Sequence, residues 1–384
     1  MRGRRRQVAA ARLAAIAATA LVAATAAVPA GAQTGESALF CLGDLQADAV
    51  PQRPGAPPLR FGITPGVQTG QLLLGPADVI PEDPARHEAA LDELRPPGDP
   101  FVLRLHRFFW SDGEQGIQRF EALAERYTSK GYLVELQLRY HPDESQEGDI
   151  RAWTDHVREV VRRFGPNPNV VAIQVTNEVN LTFSPDSSDG AYERARDALV
   201  QGVIAASDEA EKNGFAQLEI GFNWAYRMDP VSENAFWTHL RDAGPAFRAA
   251  VDWVGLDAYP GTFVLPVHTP GGERDGMVNA MSVLRCFLDY ARIPFETPIH
   301  VEENGWPTSP PLRSYEYQAR TVDTLVRAVH DFRGTYNVTD YRWFNLRDGD
   351  SQNPNPQVQY GLVRSDYRPK PAFAVYRRLV RELR

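Results

Sequence analysis

The feature that most restricts the fold of this chain is a regular alternation, from Leu59 onward, between short apolar runs and longer amphipathic stretches. Most of the runs have the length of a strand and are rich in β-branched or aromatic residues, and the stretches between them have helical spacing. The apolar runs are Leu59–Ile63, Phe101–Leu105, Tyr132–Leu138, Val170–Val175, Leu218–Phe222, Trp253–Leu256, Ile299–Val301 and Tyr341–Phe344. The clearest helical stretches are Ile117–Lys130, Arg151–Phe164, Tyr192–Lys212 and Ala319–Phe332, and Asp149 and Asp189 are predicted to cap two of them.

Eight strand candidates, each followed by a helix candidate, are the number and order of elements in a closed parallel barrel. An open doubly wound sheet is the alternative, but such a sheet usually carries a glycine-rich phosphate loop after an early strand, and the sequence contains no G-x-G-x-x-G motif. The length of 384 residues suits one barrel with loop insertions. We therefore predict an α/β fold, a single (β/α)₈ barrel domain over residues 59–384.

The first 58 residues are predicted to lie outside the barrel. Met1–Gln7 is rich in arginine, Val8–Val28 is apolar and rich in alanine, and Ala30-Gly31-Ala32 fits a signal-peptidase cleavage site. A membrane anchor is the alternative for a run of this length. Small residues and the placed cleavage motif favour a signal peptide over residues 1–32, hence a secreted protein, followed by a flexible lead-in over residues 33–58.

Cys41 and Cys286 are the two cysteines of the chain. Export to an oxidising compartment favours a disulfide between them. Two unpaired, buried thiols are the alternative, and the sequence alone leaves the choice open.

The charge balance and the motif search narrow the class of partner. A formal net charge of -8 argues against nucleic acid, which needs a basic face, and a neutral polymer such as a polysaccharide fits better. After the leader, no segment is apolar enough to cross a membrane. The absence of H-E-x-x-H, of a cysteine cluster and of G-x-S-x-G leads us to expect no metal, no cofactor and no esterase chemistry. We expect a monomer.

Two carboxylates follow apolar strands where a barrel carries its reactive face. Asn177-Glu178 follows the fourth run, and Glu302-Glu303 follows the seventh. Cleavage of a glycosidic bond needs such a pair, because one carboxylic acid protonates the leaving oxygen while the other, ionised, attacks the anomeric carbon or activates water. Each acid alone could be a solvated residue at a strand end. Strand phase does not separate Glu302 from Glu303, since both faces of a barrel strand are buried.

These segments resemble the clan A glycoside hydrolases, which have a (β/α)₈ barrel, an Asn-Glu pair ending strand four and a glutamate ending strand seven. Glu303-Asn304-Gly305-Trp306-Pro307 is similar to the E-x-G-W-P of the family 17 β-1,3-glucanases and to the E-N-G of the family 1 β-glycosidases. The resemblance implies that Glu178 is the acid/base, that Asn177 holds the 2-hydroxyl of the sugar, and that Glu303 is the nucleophile.

The resemblance extends to weaker matches. Arg104 matches an arginine that supports the charge of the nucleophile, Tyr259 matches a tyrosine that hydrogen-bonds it, and Trp343 matches the tryptophan that forms the floor of the sugar subsite. Trp306 follows a strand candidate and offers an aromatic face to a sugar, with plain packing as the alternative. One position departs from the pattern, because Asp257 stands where many members carry histidine.

The sequence therefore predicts a secreted glycoside hydrolase that cleaves a β-linked polysaccharide or oligosaccharide by retaining double displacement. A non-catalytic carbohydrate-binding or cell-wall protein on a degenerate barrel is an alternative, because fold does not fix function. A transglycosylase using the same site is another. The sugar, the linkage, endo or exo action and the exact family stay open.

Overall fold

The apolar runs pair in sequence order around a closed barrel. The computed structural model describes residues 37–43, 56–67, 77–226, 229–263 and 272–384. Within these ranges eight parallel strands follow one another from β1 to β8, and β8 pairs back onto β1 to close the barrel. The strands are β1 (Arg60–Ile63), β2 (Val102–Phe109), β3 (Leu133–Arg139), β4 (Val170–Val175), β5 (Glu219–Ala225), β6 (Trp253–Asp257), β7 (Ile299–Asn304) and β8 (Val338–Trp343). The predicted (β/α)₈ barrel is confirmed.

Helices follow the strands and cover the outside of the barrel. They are α1 (Pro84–Leu94), α2 (Gly113–Thr128), α3 (Ile150–Phe164), α4 (Ala195–Asn213), α5 (Pro230–Asp242), the short α6 (Pro245–Ala249), α7 (Glu273–Tyr290), α8 (Tyr315–Tyr336) and α9 (Pro371–Glu382). No helix in the described ranges has an apolar stretch long enough to cross a membrane.

One of the two predicted helix caps is confirmed and the other is wrong. Asp149 accepts a hydrogen bond from the backbone N–H of Ala152 at the start of α3. The helix after β4 begins only at Ala195, so Asp189 lies too far upstream to cap it. Asp189 instead accepts hydrogen bonds from Arg139 and from the backbone of the segments that follow β3 and β4. A short polar residue before a helix is a local signal, and here tertiary partners outcompete the cap.

The core has an apolar outer layer and a charged interior. Between strands and helices, residues such as Ile173 of β4 and Val157 of α3 are completely buried in one hydrophobic cluster. Inside the barrel, Arg104 of β2, Glu135 of β3 and Arg342 of β8 are equally buried and form ion pairs. Successive residues of a strand face opposite sides of the sheet. One side of each strand therefore packs against the helices, and the other side faces the barrel interior.

A disulfide holds part of the predicted lead-in against the barrel. Cys41 is bonded to Cys286 of α7, with 5.6 Å between their Cα atoms. Cys41 lies in a 3₁₀ helix, Ala38–Gly43, which contacts α5 and α7. Asn234 of α5 also accepts a hydrogen bond from the backbone N–H of Ala38. This stretch of the lead-in is thus packed, and the predicted signal peptide (residues 1–32) lies outside the described residues.

Candidate active site

Both predicted carboxylates line one cavity of about 270 Å³ at the C-terminal ends of the strands. Glu178 follows β4, and Glu303 is the penultimate residue of β7. One carboxylate oxygen from each of Glu178, Glu303 and Asp257 lies within 4.8 Å of the other two. Retaining glycosidases need their two carboxyl groups about 5–5.5 Å apart, and inverting enzymes about 6.5–9.5 Å. The spacing here is of the short kind.

Glu303 is fixed by donors from three other strands or their ends. Arg104 donates from Nη1 to Oε1 over 2.9 Å, and the Tyr259 hydroxyl donates to Oε2 over 2.7 Å. Gln137 Nε2 makes a longer contact of 3.4 Å to Oε1. Burial would by itself lower the pKa of Arg104, but the surrounding carboxylates, Glu303 first, raise it. Burial, and then the Glu303 charge, raise the pKa of Tyr259 well above its usual value, so the phenol keeps its proton and donates it.

A β-bulge gives Glu302 and Glu303 different access to the cavity. Leu256 of β6 pairs with Val301, but the next residue, Asp257, pairs with Glu303, so β7 has one extra residue at Glu302. Glu302 is completely buried below the cavity, 3.3 Å from Nε of Arg104. Glu303 lines the cavity and keeps 12% of its side chain exposed. The bulge lets both neighbours approach the same arginine, with Glu303 on the accessible side.

The turn after β4 positions Glu178. Thr176 and Glu178 both have left-handed backbones, with φ of 67° and 47°. The backbone N–H of Glu178 donates to Asn223 Oδ1 over 2.8 Å. Asn177 accepts from Gln137 and Asn223 through its side-chain oxygen, and its Nδ2 donates to the carbonyl of Ser187 over 2.8 Å. Such backbone conformations are costly for residues other than glycine and persist only where several contacts fix them.

Asp257, the departure noted in the sequence, adds a third carboxyl group. It is completely buried; Oδ2 accepts from Asn223, and Oδ1 has no hydrogen-bond partner among the described residues. Burial, and then the Glu303 charge, raise the pKa of Asp257 well above its usual value. The three carboxyl groups are close enough to share a cation. However, Arg104 and Tyr259 already donate hydrogen bonds to the two oxygens of Glu303, which makes this carboxylate a poor metal ligand.

Comparisons with known proteins give a likeness in structure. No protein-family model matches the chain, and no characterised protein matches its sequence. GH5_18 from Streptomyces cattleya, solved with GlcNAc, is similar with a TM-score of 0.57 at 17% identity, over 86% of this chain and 81% of that one. A fungal β-1,4-galactanase has a TM-score of 0.56 at 14% identity, over 83% and 99%. A β-glucosidase, 1317, has a TM-score of 0.52 at 17% identity, over 78% and 88%.

The chain shares their barrel fold. At these identities the likeness establishes the fold, which agrees with the resemblance to clan A glycoside hydrolases expected from the sequence.

The structure does not bring the two predicted aromatic contacts to the cavity. Trp343 is completely buried, with its ring centroid 6.4 Å from that of Tyr376 in α9, on the helix side of β8. Trp306 stacks on Tyr317 of α8 at 4.8 Å and lies under the guanidinium of Arg313. Neither residue lines the cavity.

Phe344, one residue beyond Trp343, lines the cavity instead. Arg342 faces the barrel interior, and side chains alternate along a strand, so Trp343 faces outward and Phe344 inward. Phe344 packs with Tyr259 and Tyr360 in an aromatic cluster on this wall. The alternation could have revealed this choice, had the inward phase of β8 been known from the sequence.

Polar residues on β2 and β3 were also missed. Gln137 contacts both Asn177 and Glu303, and Arg107 and Arg139 line the cavity beside it. The segment between β4 and α4 also reaches the cavity, through residues such as Phe183 and Ser187. A glutamine or arginine within a strand pattern carries no local sign that it faces a site, which is why sequence reasoning passed over these residues.

Proposed function

We propose that this chain is a glycoside hydrolase that cleaves a β-linked polysaccharide or oligosaccharide by retaining double displacement. The observation that carries the proposal is the approach of the Glu178 and Glu303 carboxylates to within 4.8 Å in one cavity. Glu303 accepts hydrogen bonds from Arg104 and Tyr259, as a nucleophile held ionised and oriented requires. The barrel fold shared with structures of glycoside hydrolases supports the same reaction class.

In the first step a Glu303 oxygen attacks the anomeric carbon, and the bond from that carbon to the leaving oxygen breaks. Glu178 transfers its proton to the leaving oxygen, so the departing sugar leaves as an alcohol. In the second step Glu178, now a carboxylate, takes a proton from water, whose oxygen attacks the anomeric carbon and releases Glu303. Two inversions restore the original configuration. Asn177, beside Glu178, is the residue proposed to hold the 2-hydroxyl.

The similar structures do not indicate which sugar this chain cleaves, because the sugars in their names differ. GH5_18 was solved with GlcNAc and, in a variant, with Manβ1-4GlcNAc, and others are β-1,4-galactanases. The aromatic cluster of Tyr259, Phe344 and Tyr360 offers apolar ring faces to any pyranose. We therefore propose the reaction class for this chain and leave the sugar to experiment.

Residues 1–32 are proposed to act as a signal peptide that directs secretion. The Cys41–Cys286 disulfide is in keeping with an oxidising compartment outside the cytoplasm. Expression in a bacterial host with the leader intact, followed by N-terminal sequencing of protein from the medium, tests this proposal. A mature chain that begins near Gln33 is expected; retention of the leader in the cell membrane would contradict it.

A screen of β-linked polysaccharides and aryl glycosides, with sizing of the products, tests the proposed activity. The parent protein should release reducing ends from at least one substrate, and Glu303→Gln, purified in the same way, should not. Binding without hydrolysis across the panel would favour a carbohydrate-binding protein. Products longer than the substrate at high sugar concentration would show transglycosylation.

A further inference from the structure

Two arginines line the active-site cavity on the wall formed by β2 and β3. Arg107 lies near the end of β2, and Arg139 is the last residue of β3. In a closed barrel of eight strands, β2 and β3 lie across from β6 and β7, which lead to Tyr259 and Glu303. The guanidinium carbons of Arg107 and Arg139 lie 5.1 and 5.4 Å from the ring centroid of Phe109, so both side chains pack against this ring. Both arginines thus line the cavity that also contains the proposed catalytic pair.

Arg139 has one end of its guanidinium unmatched. Its Nε donates to Asp189 Oδ1 over 2.7 Å, and Nη2 is buried with no hydrogen-bond partner in the described part of the chain. The other oxygen of Asp189 accepts from the backbone N–H groups of Tyr140 and Asn177. The side chain is 2% exposed, so bulk water does not readily satisfy this donor. An unsatisfied buried donor costs about 1–3 kcal/mol unless a ligand or an ordered water pairs with it.

Arg107 has no ion pair within 4.0 Å among the residues that the structure describes. Its backbone is left-handed, with φ of 66°, and its N–H donates to Gln137 Oε1 over 2.8 Å. Arg107 lies in the bulge of β2 between Leu105 and Phe108, and its side chain lines the cavity. Burial, and then the Arg139 charge, lower the pKa of Arg107, while the charges of Asp186 and Asp112 oppose this shift.

Asp189 balances the charge of Arg139, whereas no ion pair in the described part of the chain balances the charge of Arg107. Asp186 is an exposed cavity residue that makes no ion pair with Arg107, and Asp112 is paired with Arg119. His106 lines the cavity, but burial, and then the arginine charges, lower its pKa well below the usual value, so it is neutral. His141, whose ring centroid lies 4.3 Å from that of Phe109, has its pKa lowered by the same causes. Glu178 and Glu303 lie at the ends of β4 and β7, and Glu303 is already paired with Arg104.

We infer that Arg107 and Arg139 form a subsite for an anionic sugar, namely the carboxylate of a β-linked hexuronic acid in the substrate. This inference rests on the proposed function and gives it a substrate class. A planar guanidinium group can donate two parallel hydrogen bonds to one carboxylate. Two arginines that line one cavity of about 270 Å³ therefore provide several donors for an anion. The net charge of -8 favoured a neutral polymer, but net charge sums the whole chain and says nothing of one buried wall.

A sulfate ester on a neutral sugar would need the same donors, so the test must separate the two sources of charge. The substrates are β-linked oligosaccharides that differ at C6 alone, as hydroxymethyl, carboxylate or sulfated hydroxymethyl. The measured quantity is the ratio of kcat/KM for each charged substrate to that for the neutral one. The parent should prefer the carboxylate, and Arg107→Gln should lower this ratio about 10- to 100-fold. Arg107→Lys should restore part of it, and Arg151→Gln, at an exposed position outside the cavity, should leave it unchanged.

Binding to Glu303→Gln, measured by calorimetry with the same three oligosaccharides, separates this inference from the proposed function. Tighter binding of the carboxylate form, without turnover by the parent, would support the subsite and reject the hydrolase. Turnover with a ratio that Arg107→Gln does not change, or a preference for the neutral form, would overturn the subsite and leave the hydrolase intact. A preference for the sulfated form would assign the site to sulfate and reject the hexuronic acid. Arg139 is unsuitable as the first variant, because its pairing with buried Asp189 also supports the fold.

Discussion

Arg104 donates to Glu303 across 2.9 Å while its own side chain is completely buried. The same guanidinium donates to Gln174 Oε1 over 2.7 Å and lies 3.3 Å from Glu302 through Nε. Arg104 thus balances the negative charge of the interior acids and orients the proposed nucleophile, Glu303. Removing one partner of a buried pair typically costs about 3–5 kcal/mol, since the other charge is left uncompensated. Arg104 therefore links the stability of the barrel to the geometry of its site.

Glu178→Gln and Glu303→Gln should each lower turnover by several orders of magnitude, because each removes a group that transfers a proton or forms the covalent bond. Both residues line the cavity, and in Glu303→Gln the buried Arg104 keeps Glu135 and Glu302 as ion-pair partners, so the melting temperature should stay within a few degrees of the parent. Turnover assays and thermal melts of both variants check this, with exposed Glu144→Gln as the matched control. Normal activity in either cavity variant would reject the assignment.

A 2-fluoro glycoside should trap the covalent intermediate on Glu303, because the fluorine slows its breakdown. Glu302 should stay unlabelled, since it is completely buried beneath the cavity. Peptide mapping identifies the labelled residue, and NMR of the first-formed sugar should show retained anomeric configuration. A label on Glu302 would reverse the choice of nucleophile, and an inverted product would exclude double displacement.

Tyr259→Phe should lower kcat about 10- to 100-fold with little change in folding. The phenol donates a 2.7 Å hydrogen bond to Glu303 Oε2, and a bond to a charged group contributes about 1.5–3 kcal/mol. Steady-state kinetics and urea unfolding of the variant measure the two effects separately. Tyr341→Phe is the matched control, because its hydroxyl bonds Asn304 rather than Glu303. Equal kinetic losses in the two variants would show that the effect is not specific to the nucleophile.

His87 should make the protein less stable as the pH falls from about 6.5 to about 4. Burial lowers the pKa of His87 to about 4 against the opposing charge of Glu82, and the residue is 1% exposed. The folded state therefore favours the neutral ring, while the unfolded chain takes up a proton below about 6.5. The contribution present above that pH amounts to about 3 kcal/mol and is lost as the pH approaches 4. Urea unfolding between pH 4.5 and 7.5 should show a shallower dependence in His87→Gln, and an identical dependence would contradict the assignment.

The Cys41–Cys286 disulfide should be present in protein recovered from an oxidising compartment. It joins residues 245 apart in sequence, and bonds that close long loops typically contribute about 2–5 kcal/mol. Thiol labelling of unfolded, unreduced protein should find no free thiol, and labelling after reduction should find both. The double variant Cys41→Ser/Cys286→Ser should melt at a lower temperature and keep the kcat of the parent, since neither cysteine lines the cavity. Two labelled thiols without reduction would reject the bond.

The sequence predicted those features that depend on neighbours along the chain. The β4 run, Val170–Val175, has its predicted bounds, and most other predicted strands are correct to within a few residues. The predicted helix Arg151–Phe164 is also close to α3. Glu178 and Glu303 were found because each follows such a run, and a parallel barrel brings the ends of its strands to one face.

Register and side-chain phase were decided only by the closed barrel. The choice of Phe344 over Trp343 depends on which side of β8 faces inward, and the accessibility of Glu303 over Glu302 depends on the bulge against β6. Asp189 was predicted as a helix cap and became a partner of Arg139. The sequence by itself determined the strands, the helices and the two acids, since hydrophobic period and strand-end position are local properties. The tertiary structure decided which side chains meet, because residues far apart in sequence contact one another only after strand pairing has fixed the register.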